Sequence, residues 1–457
     1  MAIVTPGVVP ASVLVTHRRP EWLDTFARFA RRTRFADLPD EVVSRTRLVV
    51  LDCIGAILAG RREPEVAEAG RRLSRTGKPG SRLMRAFLNG TAGTMLEIDE
   101  GNQYARGHPG IHVVPAVLAL AGGRKVTGAD AIVATALGYE IGARIGIASK
   151  LRVTMHPHGT WGTVGAALAV ARLRGASARE IAETVNVASS LGLTTSRRTM
   201  LEGATVRNTY AGFSNMLGIM AHDLVRAGFT GEADGVAAVY GGIAADDWRP
   251  EEMTRDLGTR WEIARNYFKR HAACRYNHGA LDALGEIVAR AGGRIDPASV
   301  AAIEVKTYVW AAQLDHPEPA SMLAAKFSMP FSLATFIVNG AASLDAFRDP
   351  ARRDEATRAL ARLVRVDEDP ALTAKLPGLR PARVTVSLKD GRTFSAEALT
   401  NKGDTEDPYT ADEVVAKFME VASPSVGPGR AEDIVRHGLA LDSAASLADL
   451  LELCETR

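Results

Sequence analysis

Residues 299–310, SVAAIEVKTYVW, alternate apolar and polar side chains, the period-two pattern of a half-buried strand. Upstream of it the pattern is helical. DEVVSRTRLVVLDCIGAILAG (40–60), GADAIVATALGYEIGARIGIAS (128–149), WGTVGAALAVARLRG (161–175), SAREIAETVNVASSLG (177–192) and FSNMLGIMAHDLVRAGF (213–229) all place apolar residues at helical spacing. In the first of these, Asp40 is a candidate N-cap and Gly60 a stop. Ala134, Gly138, Gly142 and Gly146 recur every four residues, which predicts close helix–helix packing. No βαβ alternation and no Gly-rich phosphate loop occurs in this part.

Downstream, ARVTVSLKDGRTFSAEALT (382–400) reads as two strands joined across Lys389-Asp390-Gly391. SMPFSLATFIVNG (328–340) and RDEATRALARLVR (353–365) read as helices between the strands, an α+β pattern. TADEVVAKFMEVAS (410–423) and the tail from about residue 430 return to helix. The expected fold is therefore mainly α: a large all-helical domain interrupted by a smaller α+β domain, with the last helices rejoining the first. The boundaries fall at 20–275, 276–405 and 406–457.

A chain of 457 residues is long enough to bury a sizeable core. Its 46% apolar and 24% charged residues are ordinary for a globular protein. A net charge of +3 with scattered arginines argues against nucleic-acid binding and against a polybasic membrane segment. Cys53, Cys274 and Cys454 are too few for a disulfide framework and suit a reducing, cytoplasmic setting. No run of about 18 apolar residues is present, so no spanning helix is expected. Residues 1–20 lack the order of a signal peptide and read as a loose leader.

Seven of the ten histidines lie between His108 and His278. Glu97, Asp99 and Glu100 precede His108 by a short loop; close carboxylates raise one another's pKa and tune a neighbouring imidazole for proton transfer. The bland alternative is a solvated acidic helix end. His156 and His158 sit in HPHGTWG (156–162), just ahead of a helix, whose N-terminus favours anions. The pairs His108/His112 and His156/His158 lack metal-site spacing, so no metal is expected. LEGATVRNTYAG (201–212) carries Arg207 and Tyr210; a guanidinium there suits a carboxylate, or simply a surface loop. NYFKRHAACRYNHGALDAL (266–284) packs Lys269, Arg270, His271, Cys274, Arg275 and His278 into ten positions. Cys274 is either a nucleophile, if these neighbours lower its pKa, or a small buried residue.

Taken in order, FLNGTAGTMLEIDEG, HPGIHVVPAVLALA, GYEIGARIG, HPHGTWGTVGAALAVARLRG, GFTG, YFKRHAACRYNHGALDAL and AAKFSMPFSLA resemble the MmgE/PrpD family, over about residues 85–335. The family includes 2-methylcitrate dehydratase, cis-aconitate decarboxylase and iminodisuccinate epimerase. The resemblance implies an α+β lid over the helical domain, a cofactor-free site between them, and a homodimer. It aligns Glu97, Asp99 and Glu100 with a family acidic run, His108 and His156 with site histidines, and Lys269, Arg270 and His278 with matching positions. Arg207 stands where several members carry lysine, Tyr210 where they often carry histidine, and Cys274 where decarboxylase-like members carry histidine. Guanidinium keeps a carboxylate anchor but gives up a proton donor. Together these imply a cofactor-independent lyase on a small di- or tricarboxylate, acting by α-proton abstraction as in 2-methylcitrate dehydration. An epimerase, a cis-aconitate-type decarboxylase and an inactive binding homologue are the alternatives. His108, His156, Asp99, Cys274 and Tyr210 are the expected catalytic residues. Glu97, Arg207, Lys269, Arg275 and His278 are expected to hold the polycarboxylate.

Overall fold

The computed structural model describes residues 18–75 and 80–455; residues 1–17, most of the expected leader, lie outside the described part. Helix makes up 58% and strand 9%, so the fold is mainly α with a small sheet region. The helix read at 40–60 spans Asp40–Gly60. Pro39, not Asp40, is its N-cap, and Asp40 instead sits in the first turn, where its charge opposes the helix dipole. The helix stops at Gly60 as read, and a glycine is also needed there for contact: a Cβ would lie 1.9 Å from the Ala92 carbonyl oxygen.

Helix Gly128–Ala148 is capped by Thr127, whose Oγ1 accepts from the Asp130 N–H. Its small-residue stripe seats it on helix Gly162–Leu173. A Cβ at Gly138 would meet the Gly165 carbonyl at 2.7 Å, and one at Gly146 the Ala105 carbonyl at 2.7 Å. By length and a mean hydropathy of 1.3 this helix qualifies as a membrane span, although the sequence showed no wholly apolar run. It is 94% buried inside the protein and carries the Glu140–Arg144 pair at 2.6 Å, so it is a core helix.

Among the described residues, six strands form two sheets. β1 (Ser149–Leu151) and β2 (Ala245–Trp248) make a small antiparallel pair that periodicity did not show. β3 (Val300–Thr307), β4 (Val364–Glu368), β5 (Ala382–Leu388) and β6 (Thr393–Ala398) form a mixed sheet in the order β4-β3-β5-β6. The expected hairpin is β5–β6, with Gly391 at φ 90° in the turn. The helix expected over 353–365 is shorter, Glu355–Ala361. Val364 and Val366 leave it to pair in parallel with Ile303 and Val305, because alternation in LVRVDE fits a sheet better than a continued helical face. Helices Ala411–Val426 and Pro428–Leu439 close back onto Asp40–Gly60. There Arg47 donates to the Leu439 carbonyl at 2.8 Å, and Lys417 meets Asp52 at 2.5 Å.

Candidate active site

After helix Arg82–Thr94 the chain runs without regular structure to a short 3₁₀ turn, Gly110–His112, and then to the apolar helix Val114–Ala121. Gly101 exchanges backbone hydrogen bonds with Tyr267 (3.0 and 2.7 Å), and Asn102 pairs with Gly107. Those bridges fold the acidic run against residues 267–269 and set His108 over it. From the C-terminal helix, Lys417 Nζ reaches the Ile98 carbonyl (2.7 Å), while Asp52 accepts the Glu100 N–H at 2.9 Å. Both ends of the chain thus hold this loop in place.

Glu97 is fully buried between two cations. Arg207 pairs with Oε1, and Lys269 Nζ donates to Oε2 at 3.1 Å and to the backbone carbonyl at 3.0 Å. This clamp holds Glu97 in a left-handed backbone (φ 53°), a conformation non-glycine residues rarely take. Burial works against its charge, but Arg207 and Lys269 outweigh burial and keep its pKa below the ordinary value. Arg207 is also buried; it leans 5.3 Å over the Phe327 ring, and its Nε has no hydrogen-bond partner among the described residues.

Asp99 lies on the same side. Its Oδ2 is 3.0 Å from His108 Nδ1, and Lys269 Nζ is 3.9 Å from Oδ1. Burial disfavours its charge, yet His108 and Lys269 pull its pKa well down. His108 Nδ1 also lies 2.7 Å from the Glu100 carbonyl oxygen. The Glu100 carbonyl accepts from Nδ1–H, with Asp99 beside it at ion-pair distance, and this leaves Nε2 free to exchange a proton. Glu100, one residue on, faces the other way. Its carboxyl accepts from the Gly110 N–H (2.7 Å) and the Tyr139 hydroxyl (3.0 Å), with no cation against it among the described residues. Burial first, then the charges of Asp52 and Asp99, raise its pKa to about 8.

The histidine rings meet. His158 is central, with centroids 4.6 Å from His108, 4.9 Å from His112 and 4.9 Å from His156. His108 and His156, 48 positions apart in sequence, therefore flank one ring, and Tyr210 stands 6.2 Å from His156. His112 is pushed down to about 3 by burial, aided by His108, and His156 and His158 also lie well below the ordinary value, from burial and then Arg207. All three are neutral near pH 7. Both ring nitrogens of His112 and of His158 lack hydrogen-bond partners among the described residues, a cost natural cores seldom accept without a ligand. No group of three or more His, Cys, Asp or Glu among the described residues is arranged to hold a metal ion.

The remaining expected residues divide. Cys274 does not meet the condition for a nucleophile, since burial and Glu97 raise its thiol to about 11. Arg275 is already paired, with Asp404 and Asn401, and stacks 4.9 Å over Tyr267, so its donors serve the fold rather than an incoming carboxylate. His278 opens helix His278–Arg290 and contacts His271 (5.1 Å) rather than the four-histidine cluster. Three members went unread in the sequence. His112 and His158 sat in the quoted motifs but carried no role there. Lys326 is a fully buried lysine in the apolar run MLAAKFSMPF, and that odd placement was its signal. Its Nζ donates to the Ala272 carbonyl (2.8 Å) and lies 4.6 Å over the Phe347 ring; burial lowers it to about 7.

A helical body carrying a small mixed sheet, with a buried cluster of histidines, carboxylates and cations, defines the class. The chain belongs to the MmgE/PrpD family: its N-terminal domain matches residues 24–246 and its C-terminal domain residues 271–442. A cis-aconitate decarboxylase-like protein of Aspergillus oryzae is 26% identical, covering 92% of this chain and 94% of its own length. Cis-aconitate decarboxylases of Aspergillus terreus and Homo sapiens are each 24% identical, covering 91% and 90% of this chain and 92% and 90% of their own lengths.

Proposed function

We propose that this protein is a lyase for a small di- or tricarboxylate, with decarboxylation of a cis-aconitate-like substrate as the first reading. The observation that carries it is the His108–Asp99 pair beside a carboxylate clamped by Arg207 and Lys269, next to three neutral buried histidines. The names of the full-length relatives support the choice of reaction. In that reaction the bond to one carboxylate breaks and CO₂ leaves. The electron pair moves through the adjacent double bond, and the far carbon takes a proton. A polyanion entering beside neutral imidazoles raises their proton affinity, so binding loads the proton that the carbon receives. His108 Nε2 delivers it, Asp99 holds the ring and stabilises its cation, and Arg207 and Lys269, which already hold Glu97, lend the site positive charge.

Dehydration of a 2-methylcitrate-like substrate is the second reading. Arg207 and Cys274, which depart from the decarboxylase-like pattern, favour keeping it; His108 would then take an α-proton while hydroxide leaves as water. Incubation with cis-aconitate, 2-methylcitrate and citrate in deuterated water, followed by NMR, tests both. CO₂ with one deuterium in the product supports the first reading, and loss of water with a new alkene the second. No turnover and no deuterium exchange with any of the three overturns the lyase reading.

A further inference from the structure

We infer that a cavity just outside the histidine cluster is a docking vestibule for the polycarboxylate, a second anion site on the way to the buried rings. This rests on the lyase reading above. The cavity, of about 150 Å³, is bounded by the loop around residues 150–157 and by Tyr276 and Trp310. It shares a wall with the candidate site: Met155 and Pro157, which flank His156 in the chain, line it, and so does Arg106, two residues before His108.

Its charge is one-sided. Arg106, Lys150, Arg152 and Arg197 line it against a single carboxylate, Asp246, which reaches Arg152 at 3.7 Å. Arg106 and Arg197 are held by rings rather than neutralised by acids. Arg106 lies 6.0 Å over Trp310 and donates to the Ser149 carbonyl (3.1 Å); its backbone takes the left-handed conformation (φ 57°). Arg197 lies 5.8 Å over Tyr276 with Nε on Gln313 (3.3 Å), while its buried Nη2 finds no acceptor. An arginine oriented by aromatic stacking and left with free donors is set to take a carboxylate in two hydrogen bonds. The cavity has room for roughly five waters, or for a small polyanion that displaces them. A cleft lined by one sign of charge also concentrates substrate of the other sign.

The full chain should be titrated with citrate while tryptophan emission is followed, in the wild type, in Trp310→Phe and in Arg152→Gln/Arg197→Gln. Inorganic phosphate serves as the control anion. Arg152 is exposed and the glutamine changes are conservative; thermal midpoints confirm folding. We expect a saturable change that Trp310→Phe abolishes, a Kd raised about tenfold or more in the double variant, weakening with salt, and much poorer phosphate binding. Wild-type affinity in the double variant, a full signal in Trp310→Phe, or phosphate binding as tightly as citrate would overturn the vestibule and leave the lyase reading standing. Failure of citrate, cis-aconitate and 2-methylcitrate to bind any form would overturn both.

Discussion

Asp99 and Glu100 are neighbours in sequence, equally buried, and opposite in behaviour. Asp99 faces the cationic side, with His108 at 3.0 Å and Lys269 at 3.9 Å, and stays ionised. Glu100 faces Tyr139 and the Gly110 N–H, with no cation against it, and keeps its proton to about pH 8. Burial alone disfavours charge on both; what differs is the partner. One side of the loop therefore carries charge and the other a proton, and the first is the side on which the proposed chemistry rests.

The largest expected effect tests the chemical side. Asp99→Asn should leave the fold intact but cut turnover on order 10²–10⁴-fold, the usual worth of positioned proton transfer. Turnover within tenfold of wild type would remove Asp99 and His108 from the mechanism. Lys269→Met leaves Glu97 with Arg207 alone in a fully buried place and should destabilise by about 3–5 kcal/mol, read by urea unfolding. A loss below about 1 kcal/mol would mean the clamp is solvated. Arg207→Lys keeps charge but loses the planar fork. Substrate affinity should fall by about one to two decades, together with a lowered thermal midpoint, because Arg207 also holds the buried Glu97 carboxylate.

Glu100→Gln probes the structural side through pH. The folded pKa of about 8 lies above the ordinary 4.5, so the protonated carboxyl stabilises the fold fully below about pH 4.5, and that stability is lost as pH rises toward 8. Glutamine cannot ionise. Wild-type stability should therefore decline across that window by on the order of 5 kcal/mol while the variant stays flatter. Parallel curves would place Glu100 in the ionised class with Asp99. Cys274→Ala should be the mildest change: its thiol is held protonated, so turnover should stay within about tenfold, with a cavity cost near 1 kcal/mol. Abolished turnover in a stable Cys274→Ala protein would restore the cysteine as a reacting group.

Much of the fold was legible because helical periodicity and alternation are local. The helices over 40–60, 128–148 and 411–426, and the β5–β6 hairpin, follow directly from spacing and turn residues. β4 was missed because its five residues follow a short helix without punctuation, and only pairing with β3 selects the strand. At the candidate site the residue types were legible and the partners were not. Arg207 looked like an anchor awaiting a carboxylate, yet it already holds Glu97, and Arg275 is taken up by Asp404.

By itself, then, the sequence determined the mainly helical architecture, the interrupting sheet, the family, and the pool of acids, histidines and cations from which a site is assembled. Only the tertiary structure decided which charge each of them carries. Desolvation and Coulomb interaction depend on neighbours brought from residues 52, 97, 139, 207, 269 and 417, separations over which no pattern of spacing extends. Asp99 ionised beside a protonated Glu100, and three imidazoles kept neutral around His158, are consequences of that assembly.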